Sequence, residues 1–520
     1  MPKPYFKLVL AAVPCYSRNM NKKRAIVASF AAALIFLFAA CSNPGDGSTL
    51  QTLVFEGQLR SLPNVESVQA MNIKSDFKGT LYKVYFESPL DPTDISKGTF
   101  RQKAFVGFAG YERPNCLMTT GYMLSDAAAL KRIAENEAAY ILEGNLIAVE
   151  HRYFGDSVRT DKTREYGNYD GSYWEYLTTK NAAEDLHAIV SQLKVFLKGK
   201  WVAQGASKGG LTANLFCYYH PEDVDVTMPY VAPLCNSKAD PRMFEFIYTK
   251  AGDNDIRYNR SGSAASYREL LTNIQLWYLE KRDEKYRDGL TYKEIVNNLK
   301  SPGEGDQNII YDMIYEMYVG NFPVGIWQYR DDKYFAELKK FYELPTDDDT
   351  AVDSSGKSQA KKDYIFAQLT ALSSDTPAGA TLPYSFQSYF ELGNYGLDYS
   401  YLRMAVAQAQ ARGSKAKIVT TPGEEAYLPQ LSFSDAEISL FDNYTTAVHD
   451  NLINWIKTTD EQVIMIYGNS DPWYAVRIPD VYRDNVHIFV HPANNHYSMI
   501  ENFPEAQKNE LEMLLRIYLY

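Results

Sequence analysis

The chain is poor in the two residue types that most often bind metals or cross-link a fold. Its 520 residues include five cysteines and seven histidines. We therefore expect that disulfides do not hold this fold together, and the cysteine number and spacing predict no zinc site. Basic residues are not in surplus either, because 53 lysines and arginines stand against 64 aspartates and glutamates. The formal net charge of -11 argues against nucleic acid as a partner. No phosphate-binding glycine loop occurs, and we expect neither a cofactor nor a metal ion.

A hydrophobic run of transmembrane length is also missing near the N-terminus. Residues 25–40 are apolar but fall short of the roughly 20 residues that a transmembrane helix needs. They follow a basic stretch and end in Phe38-Ala39-Ala40-Cys41, which resembles a bacterial lipoprotein signal. We expect translation from Met20 and an export signal that leaves Cys41 lipidated, with residues 42–48 as a tether to the membrane. Ordinary cleavage before Cys41 is the alternative.

The most informative motif is Gly205-Ala206-Ser207-Lys208-Gly209, a serine between two glycines. This spacing is typical of a nucleophile elbow, a sharp strand-to-helix turn in which small neighbours let the backbone pass closely. An apolar run at residues 201–204 precedes it, and a helical pattern at 211–216 follows it. A tight turn in a loop is the competing interpretation. We predict that Ser207 is a nucleophile.

An acid and a base follow Ser207 in the chain order of the α/β-hydrolases, the fold in which the nucleophile elbow occurs. Asp471 comes directly after the apolar strand pattern of residues 462–467, and His496 lies deep in the polar loop after a second strand pattern at 486–490. We predict that His496 is the base and that Asp471 orients it. His491, which opens the same loop, remains the alternative base.

An oxyanion hole needs two backbone amides close to the nucleophile. The amide of Lys208, the residue after the serine, is the first candidate. Residues 115–120 read as a strand that ends at Gly121, and we predict the Tyr122 amide as the second donor. A plain strand-exit turn at Gly121 is the alternative.

The distribution of patterns predicts an α/β-hydrolase core interrupted by a helical cap. Apolar runs alternate with helical patterns before residue 235 and after residue 460, whereas the segment between them is helical and aromatic. We predict an upstream extension, signal and tether at 1–48, the two core parts at 49–237 and 461–520, and the cap at 238–460. The polar stretch 346–361 is predicted to be a loop. A cap over the elbow would restrict entry to small or unfolded substrate ends.

The stretch Val149-Glu150-His151-Arg152-Tyr153-Phe154-Gly155-Asp156-Ser157 resembles a signature of the secreted serine exopeptidases related to prolyl carboxypeptidase and dipeptidyl peptidase II. The Ser-Lys-Gly-Gly form of the elbow is most similar to their bacterial tripeptidyl aminopeptidase branch. Where the family has Gln-Pro-x-Asp-His, this chain has Ser88-Pro89-Leu90-Asp91-Pro92, a departure in a segment that is normally structural.

This resemblance implies an exported serine peptidase that removes di- or tripeptides from the free N-terminus of short peptides, often after proline. Its site must then meet a substrate ammonium with a carboxylate. We name Glu150 as the candidate, with Glu112 as a weaker one and a structural ion pair of Glu150 as the alternative. A lipase or esterase on the same fold, or a lipid-anchored binding protein with a degenerate core, are the other functions that the sequence leaves open.

Overall fold

The computed structural model describes residues 47–71, 76–126, 131–164, 170–259, 262–285, 307–374, 381–396, 398–421 and 432–520. The chain divides into two units, residues 1–57 and 58–520. The predicted cap and the predicted core from residue 58 onward belong to the second unit, while residues 49–57 of the predicted core belong to the first. None of the described helices is long and apolar enough to cross a membrane. Cys41 and the predicted signal lie outside the described residues.

A mixed sheet of nine strands forms the centre of the second unit. Its strands, with the two strands of a separate hairpin, are β1 Val65–Ala70, β2 Thr80–Pro89, β3 Thr99–Phe108, β4 Asn115–Thr119, β5 Asn145–Val149, β6 Trp201–Ala206, β7 Val226–Tyr230, β8 Thr350–Val352, β9 Ser358–Ala360, β10 Gln462–Gly468 and β11 Val486–His491. The strand order in the sheet is β1-β2-β3-β5-β4-β6-β7-β10-β11. The first three pairings are antiparallel, and all pairings from β5 to β11 are parallel.

The parallel strands are apolar along their length because helices cover both faces of the sheet there. Every residue of β4, β5 and β7 is buried, and one apolar cluster joins Val202, Val226, Ile464 and Phe489 from four neighbouring strands. The carboxyl ends of parallel strands meet at one edge of a sheet, where ligands bind in folds of this kind. Loops after β4, β6, β10 and β11 therefore open on the same edge.

The described helices include those that pack on this sheet and those that build the segment predicted as the cap. They are α1 Gly47–Ser61, α2 Glu137–Ile141, α3 Thr179–Leu193, α4 Lys208–Tyr219, α5 Arg242–Thr249, α6 Ile256–Asn259, α7 Ser263–Lys285, α8 Gln307–Tyr329, α9 Asp332–Tyr342, α10 Lys361–Ser374, α11 Leu382–Gln387, α12 Ser400–Gln410, α13 Asp435–Leu440, α14 Ala447–Thr458 and α15 Glu505–Leu519. A π-helical turn, Ser388–Leu392, follows α11. The sheet strands thus fall on either side of a helical segment, in the order that the sequence predicts.

A second apolar core holds the helical segment together and reaches the sheet edge. It joins Leu271, Trp327 and Phe335 of the cap to Trp473 and Val476, which follow β10. The cap is therefore packed against the loop that carries Asp471.

One local feature differs from the sequence prediction, and the state of three cysteines is added by the structure. The stretch 346–361, predicted as a loop, contains the antiparallel hairpin of β8 and β9. Its short strands are largely exposed, so no apolar alternation marks them. Cys116, Cys217 and Cys235 are all buried and free.

Candidate active site

Ser207 occupies the turn between β6 and α4 in a conformation that L-residues rarely adopt. Its φ is 57° and its ψ is -125°, outside the ordinary left-handed region, and such a conformation persists only when the surroundings hold it. The Ser207 amide donates to the Tyr230 carbonyl at 2.9 Å, which ties the turn to the neighbouring strand β7. This is the elbow geometry expected of an exposed serine nucleophile.

The glycines around Ser207 are required by close approach of backbone. A Cβ on Gly205 would lie 2.5 Å from the Thr119 carbonyl oxygen, and one on Gly209 would lie 2.5 Å from the same atom. A Cβ on Gly210 would lie 2.9 Å from the Tyr230 carbonyl oxygen. Any larger residue would push strands β4 and β7 away from the elbow.

Asp471 and His496 lie in direct contact on the loops after β10 and β11. The Nδ1 atom of His496 is 2.7 Å from Oδ2 of Asp471, and Oδ1 of Asp471 accepts from the Trp473 amide at 3.1 Å. Asp471 is fully buried. With Nδ1 donating to the carboxylate, Nε2 of His496 is left as the basic nitrogen. The structure brings this predicted pair together on the sheet edge that carries Ser207.

His491, the alternative base, has structural partners on both ring nitrogens. Its Nε2 lies 2.7 Å from the Asn502 carbonyl oxygen, and its Nδ1 accepts from the Ala493 amide at 3.0 Å. Burial lowers the pKa of this histidine. These contacts favour His496 over His491 as the base.

The loop after β4 approaches the elbow closely enough to supply a second amide. A Cβ on Gly121 would lie 2.7 Å from both the Gly209 nitrogen and Cβ of Lys208. The backbone of Gly121, the residue before Tyr122, therefore touches the first turn of α4. This contact supports the prediction that the Lys208 and Tyr122 amides form the oxyanion hole.

The side chain of Lys208 was not singled out by the sequence, and it is buried. Its ammonium lies 5.4 Å from the centre of the Phe154 ring and 5.9 Å from that of Tyr122. Burial lowers the pKa of Lys208 to about 7, and Glu391 partly offsets this. Glu391, in the π-helical turn of the cap, accepts hydrogen bonds from the amide and hydroxyl of Thr179. Lys208 of the elbow and Glu391 of the cap therefore interact electrostatically.

Glu135 is a second acidic residue that sequence patterns did not reveal. It lies half-buried in the 3₁₀ turn Ala134–Asn136, and within the described part of the chain no hydrogen bond reaches its carboxylate. Burial raises the pKa of Glu135 to about 7, and the charge of His496 partly lowers it. The same carboxylate acts on the pKa of Tyr122, which burial raises well above its usual value. Glu135 therefore interacts electrostatically both with His496 and with Tyr122 of the predicted oxyanion loop.

Glu150 is enclosed by protein partners, so its predicted role is corrected. The carboxylate is completely buried and accepts from the Leu124 amide at 2.8 Å and from the Ser157 amide and hydroxyl at 3.0 and 2.8 Å. It also forms a 2.9 Å ion pair with Lys103. These partners leave no acceptor for a substrate ammonium. The ion pair anticipated as the alternative is thus present, with Lys103 as the base.

Glu112 is also excluded as a substrate ligand, because it lies at the wrong edge of the sheet. It is exposed and comes just before β4 begins at Asn115, whereas Ser207 follows the carboxyl end of the neighbouring parallel strand β6. A five-residue strand separates the two edges by roughly 16 Å.

A parallel-stranded sheet with a strained serine after β6, and an acid and a histidine after the last two strands, defines an α/β-hydrolase. This confirms the predicted fold class, a hydrolase core with a mainly helical insertion. The chain belongs to the PS-10 peptidase S37 family, whose model matches residues 57–512. It is therefore a serine-type peptidase, as the sequence predicts, rather than an esterase or a binding protein.

A curated relative agrees with the predicted branch of exopeptidases. The chain is 22% identical over 429 residues to a prolyl tri/tetrapeptidyl aminopeptidase of Streptomyces mobaraensis, covering 80% of this chain and 74% of that protein. Among solved structures, it is similar to an α/β fold family hydrolase from Bacillus anthracis, at 13% identity and a TM-score of 0.32 over 84% of this chain and 99% of the other. The proline iminopeptidase of Mycobacterium smegmatis is 12% identical, with a TM-score of 0.30 over 80% and 95%.

Proposed function

We propose that this serine peptidase releases short peptides, of two to four residues, from the free N-terminus of peptide substrates and prefers to cut after proline. Ser207 attacks the acyl carbon, His496 takes and returns the proton, and Asp471 stabilises the imidazolium. The Lys208 and Tyr122 amides bind the oxyanion. The observation that carries the proposal is the contact of His496 with Asp471 at the sheet edge that also carries a strained serine, in a chain of this peptidase family.

The cap supports an exopeptidase because its tyrosines lie against the site residues. The ring of Tyr384 lies 5.6 Å from that of Tyr122, and the ring of Tyr329 lies 5.9 Å from that of His496. The His496 amide also donates to the Gln328 carbonyl of α8 at 3.2 Å. A cap held this close to the catalytic loops favours chain ends over folded loops as substrates.

Glu135 replaces Glu150 as the proposed ligand of the substrate ammonium. Its carboxylate has no protein hydrogen bond among the described residues, interacts with the charge of His496, and is desolvated enough to raise its pKa to about 7. A desolvated carboxylate becomes favourable when a cation pairs with it. An incoming N-terminal ammonium would supply that cation and so set how many residues extend from Ser207.

We expect Glu135→Gln to lower kcat/KM for peptides with a free N-terminus by at least about tenfold, equivalent to about 1.4 kcal/mol. Acetylating the N-terminus of the same peptides should lower kcat/KM of the parent protein by a similar factor. It should lower kcat/KM of the Glu135→Gln variant only slightly. A panel of proline-containing peptides, free and acetylated, measures both effects. Glu112→Gln is the matched control, because its exposed carboxylate lies at the opposite edge, and it should behave like the parent.

The preference for free N-termini should also depend on pH. Since the pKa of Glu135 is raised to about 7, its charged form is lost as the pH falls through that value. Peptide amino groups lose their charge above about pH 8, so the ratio of kcat/KM for free and acetylated peptides should peak between these values. The ratio cancels any pH effect that cleavage of the two substrates has in common. Equal cleavage of free and acetylated peptides at every pH would refute the exopeptidase assignment. It would not affect the assignment of Ser207 as the nucleophile.

We also propose that the protein is exported and held at a membrane by lipid on Cys41. The support is the basic, apolar and small-residue pattern of residues 20–41. Mass spectrometry of the mature N-terminus should find an acylated chain beginning at Cys41, and Cys41→Ser should move activity from the membrane to the soluble fraction. A mature chain with an unmodified N-terminus would contradict the anchor.

A further inference from the structure

Two histidines lie stacked at the end of α4 that is remote from the nucleophile. His187 belongs to α3 and His220 follows the last residue of α4. Their ring centres are 4.1 Å apart, and the ring planes differ by 13°. Because α4 has twelve residues and rises 1.5 Å per residue, the pair lies roughly 18 Å along the helix from Ser207. The catalytic mechanism therefore makes no use of it.

Acidic side chains surround this pair of imidazoles. Asp223, which is almost completely buried, lies 2.6 Å from Nδ1 of His187. Glu222 and Glu184 place carboxylate oxygens 3.7 and 3.5 Å from Nδ1 and Nε2 of His220. The Lys194 ammonium pairs with Asp223 at 3.1 Å and balances one of the three carboxylates. The cluster attracts a cation, because two carboxylates remain unbalanced when the histidines are neutral.

One potential ligand atom from each of His187, His220, Glu222 and Asp223 lies within 4.8 Å of the others, which no other group of such residues achieves among those described. The buried Nε2 of His220 has no hydrogen bond within the described parts of the chain. The Glu184 carboxylate, 3.5 Å from this atom, does not form a hydrogen bond with it. A buried polar nitrogen without a hydrogen bond is unfavourable, and an ion or water can supply the missing partner. The cluster therefore has both the ligand atoms and an unsatisfied member.

We propose that His187, His220, Glu222 and Asp223 bind a divalent transition-metal ion, with zinc as the preferred occupant. Imidazole nitrogen with carboxylate oxygen suits zinc and its neighbours, whereas magnesium and calcium prefer oxygen alone. Tetrahedral ligands about 2.1 Å from zinc are about 3.4 Å from one another, so the ligand atoms must move inward by about an ångström. The histidines are only partly buried and Glu222 is exposed, so small rotations can converge the two ring nitrogens.

The metal would join α3 to the turn between α4 and β7. Its role is to stabilise the packing behind the elbow rather than to take part in peptide hydrolysis. The expectation that the chain needs no metal rested on the number and spacing of the cysteines. These do not report on His187, which lies 33 to 36 residues before the other three ligands and meets them only when α3 packs on α4.

To test this proposal, the full chain is first treated with a chelator. Zinc binding is then measured by titration calorimetry, and Tm with and without zinc by thermal unfolding. We expect one zinc ion per chain and a rise in Tm of about 3 °C at zinc concentrations 100-fold above Kd. His187→Ala and His220→Ala should each weaken binding at least about tenfold and remove the Tm shift. His449→Ala is the matched control, because His449 also pairs with a neighbouring carboxylate, that of Asp450, and should bind zinc like the parent.

The catalytic histidine is the main competing ligand, and His496→Ala separates the two sites. This variant should retain zinc binding and the Tm shift. Loss of binding in His496→Ala with retention in His187→Ala would place the metal at the catalytic site and overturn the proposal. A parent chain that binds no zinc, or that binds magnesium equally well, would also overturn it. Chelator-treated variants with the parent's Tm would show that a change in binding does not come from misfolding.

Discussion

Replacing Ser207 with alanine should reduce peptide hydrolysis by roughly 10⁴- to 10⁶-fold, the usual cost of removing a serine nucleophile that acts with a histidine. The expectation rests on the strained turn at φ 57° and on the close backbone contacts of Gly205 and Gly209. Alanine keeps the Cβ and removes only the hydroxyl, so the fold should remain intact. Steady-state rates on a proline-containing peptide, with circular dichroism as the check on folding, measure both statements.

A fluorophosphonate probe gives a second measurement that does not depend on the choice of substrate. It should label the parent protein and leave Ser207→Ala unlabelled. Ser470 is a useful comparison, because its hydroxyl is buried and hydrogen-bonded to Asp255 at 2.5 Å, and Ser470→Ala should still be labelled. Equal labelling of the parent and Ser207→Ala would show that a residue other than Ser207 is the nucleophile.

His496→Ala should also cost several orders of magnitude in kcat, because the serine would lose the base that receives its proton. His491→Ala should lower kcat by less than about tenfold, or ~1.4 kcal/mol of transition-state stabilisation. The reason is that His491 bonds the Asn502 carbonyl and the Ala493 amide, while His496 contacts Asp471. Kinetics on free-ended peptides distinguish the two.

The loss of His491 should appear in stability instead. Its removal leaves the Ala493 amide and the Asn502 carbonyl without their partner, which costs about 1–3 kcal/mol of the free energy of unfolding. Denaturant unfolding should therefore separate His491→Ala from the parent. A large kcat loss in His491→Ala beside a mild one in His496→Ala would reverse the assignment of the base.

Local patterns were enough to predict the fold class and to locate the elbow. A buried parallel strand is apolar along its whole length, and an elbow needs glycine where backbone passes within van der Waals distance. Both requirements produce residue patterns that can be recognised within ten residues of sequence, as at 201–210. The family resemblance carried by residues 149–157 pointed to a peptidase, which the S37 family match confirms.

The same signature shows where sequence reasoning fails. Glu150 was predicted as a site residue because it is charged and follows a buried strand, yet it is enclosed by protein partners, as is Arg152 of the same stretch. Arg152 is held by Asp185 at 2.7 and 2.8 Å and by the Pro89 and Leu90 carbonyls. The segment Ser88–Pro92, which departs from the family pattern, thus contributes main-chain oxygens that any residue supplies. Neither contact has a spacing that sequence could reveal.

What the sequence alone determined was the local chemistry: a serine in a turn that only small neighbours allow, and an acid and a histidine in the chain order of a hydrolase. What only the tertiary structure decided was which charges face the site. Glu135 lies 361 residues before His496, and Glu391 lies 183 residues after Lys208, yet each pair shares one electrostatic environment. The physical reason is that burial and long-range charge depend on packing between distant segments, whereas strand pattern and turn strain depend on neighbours along the chain.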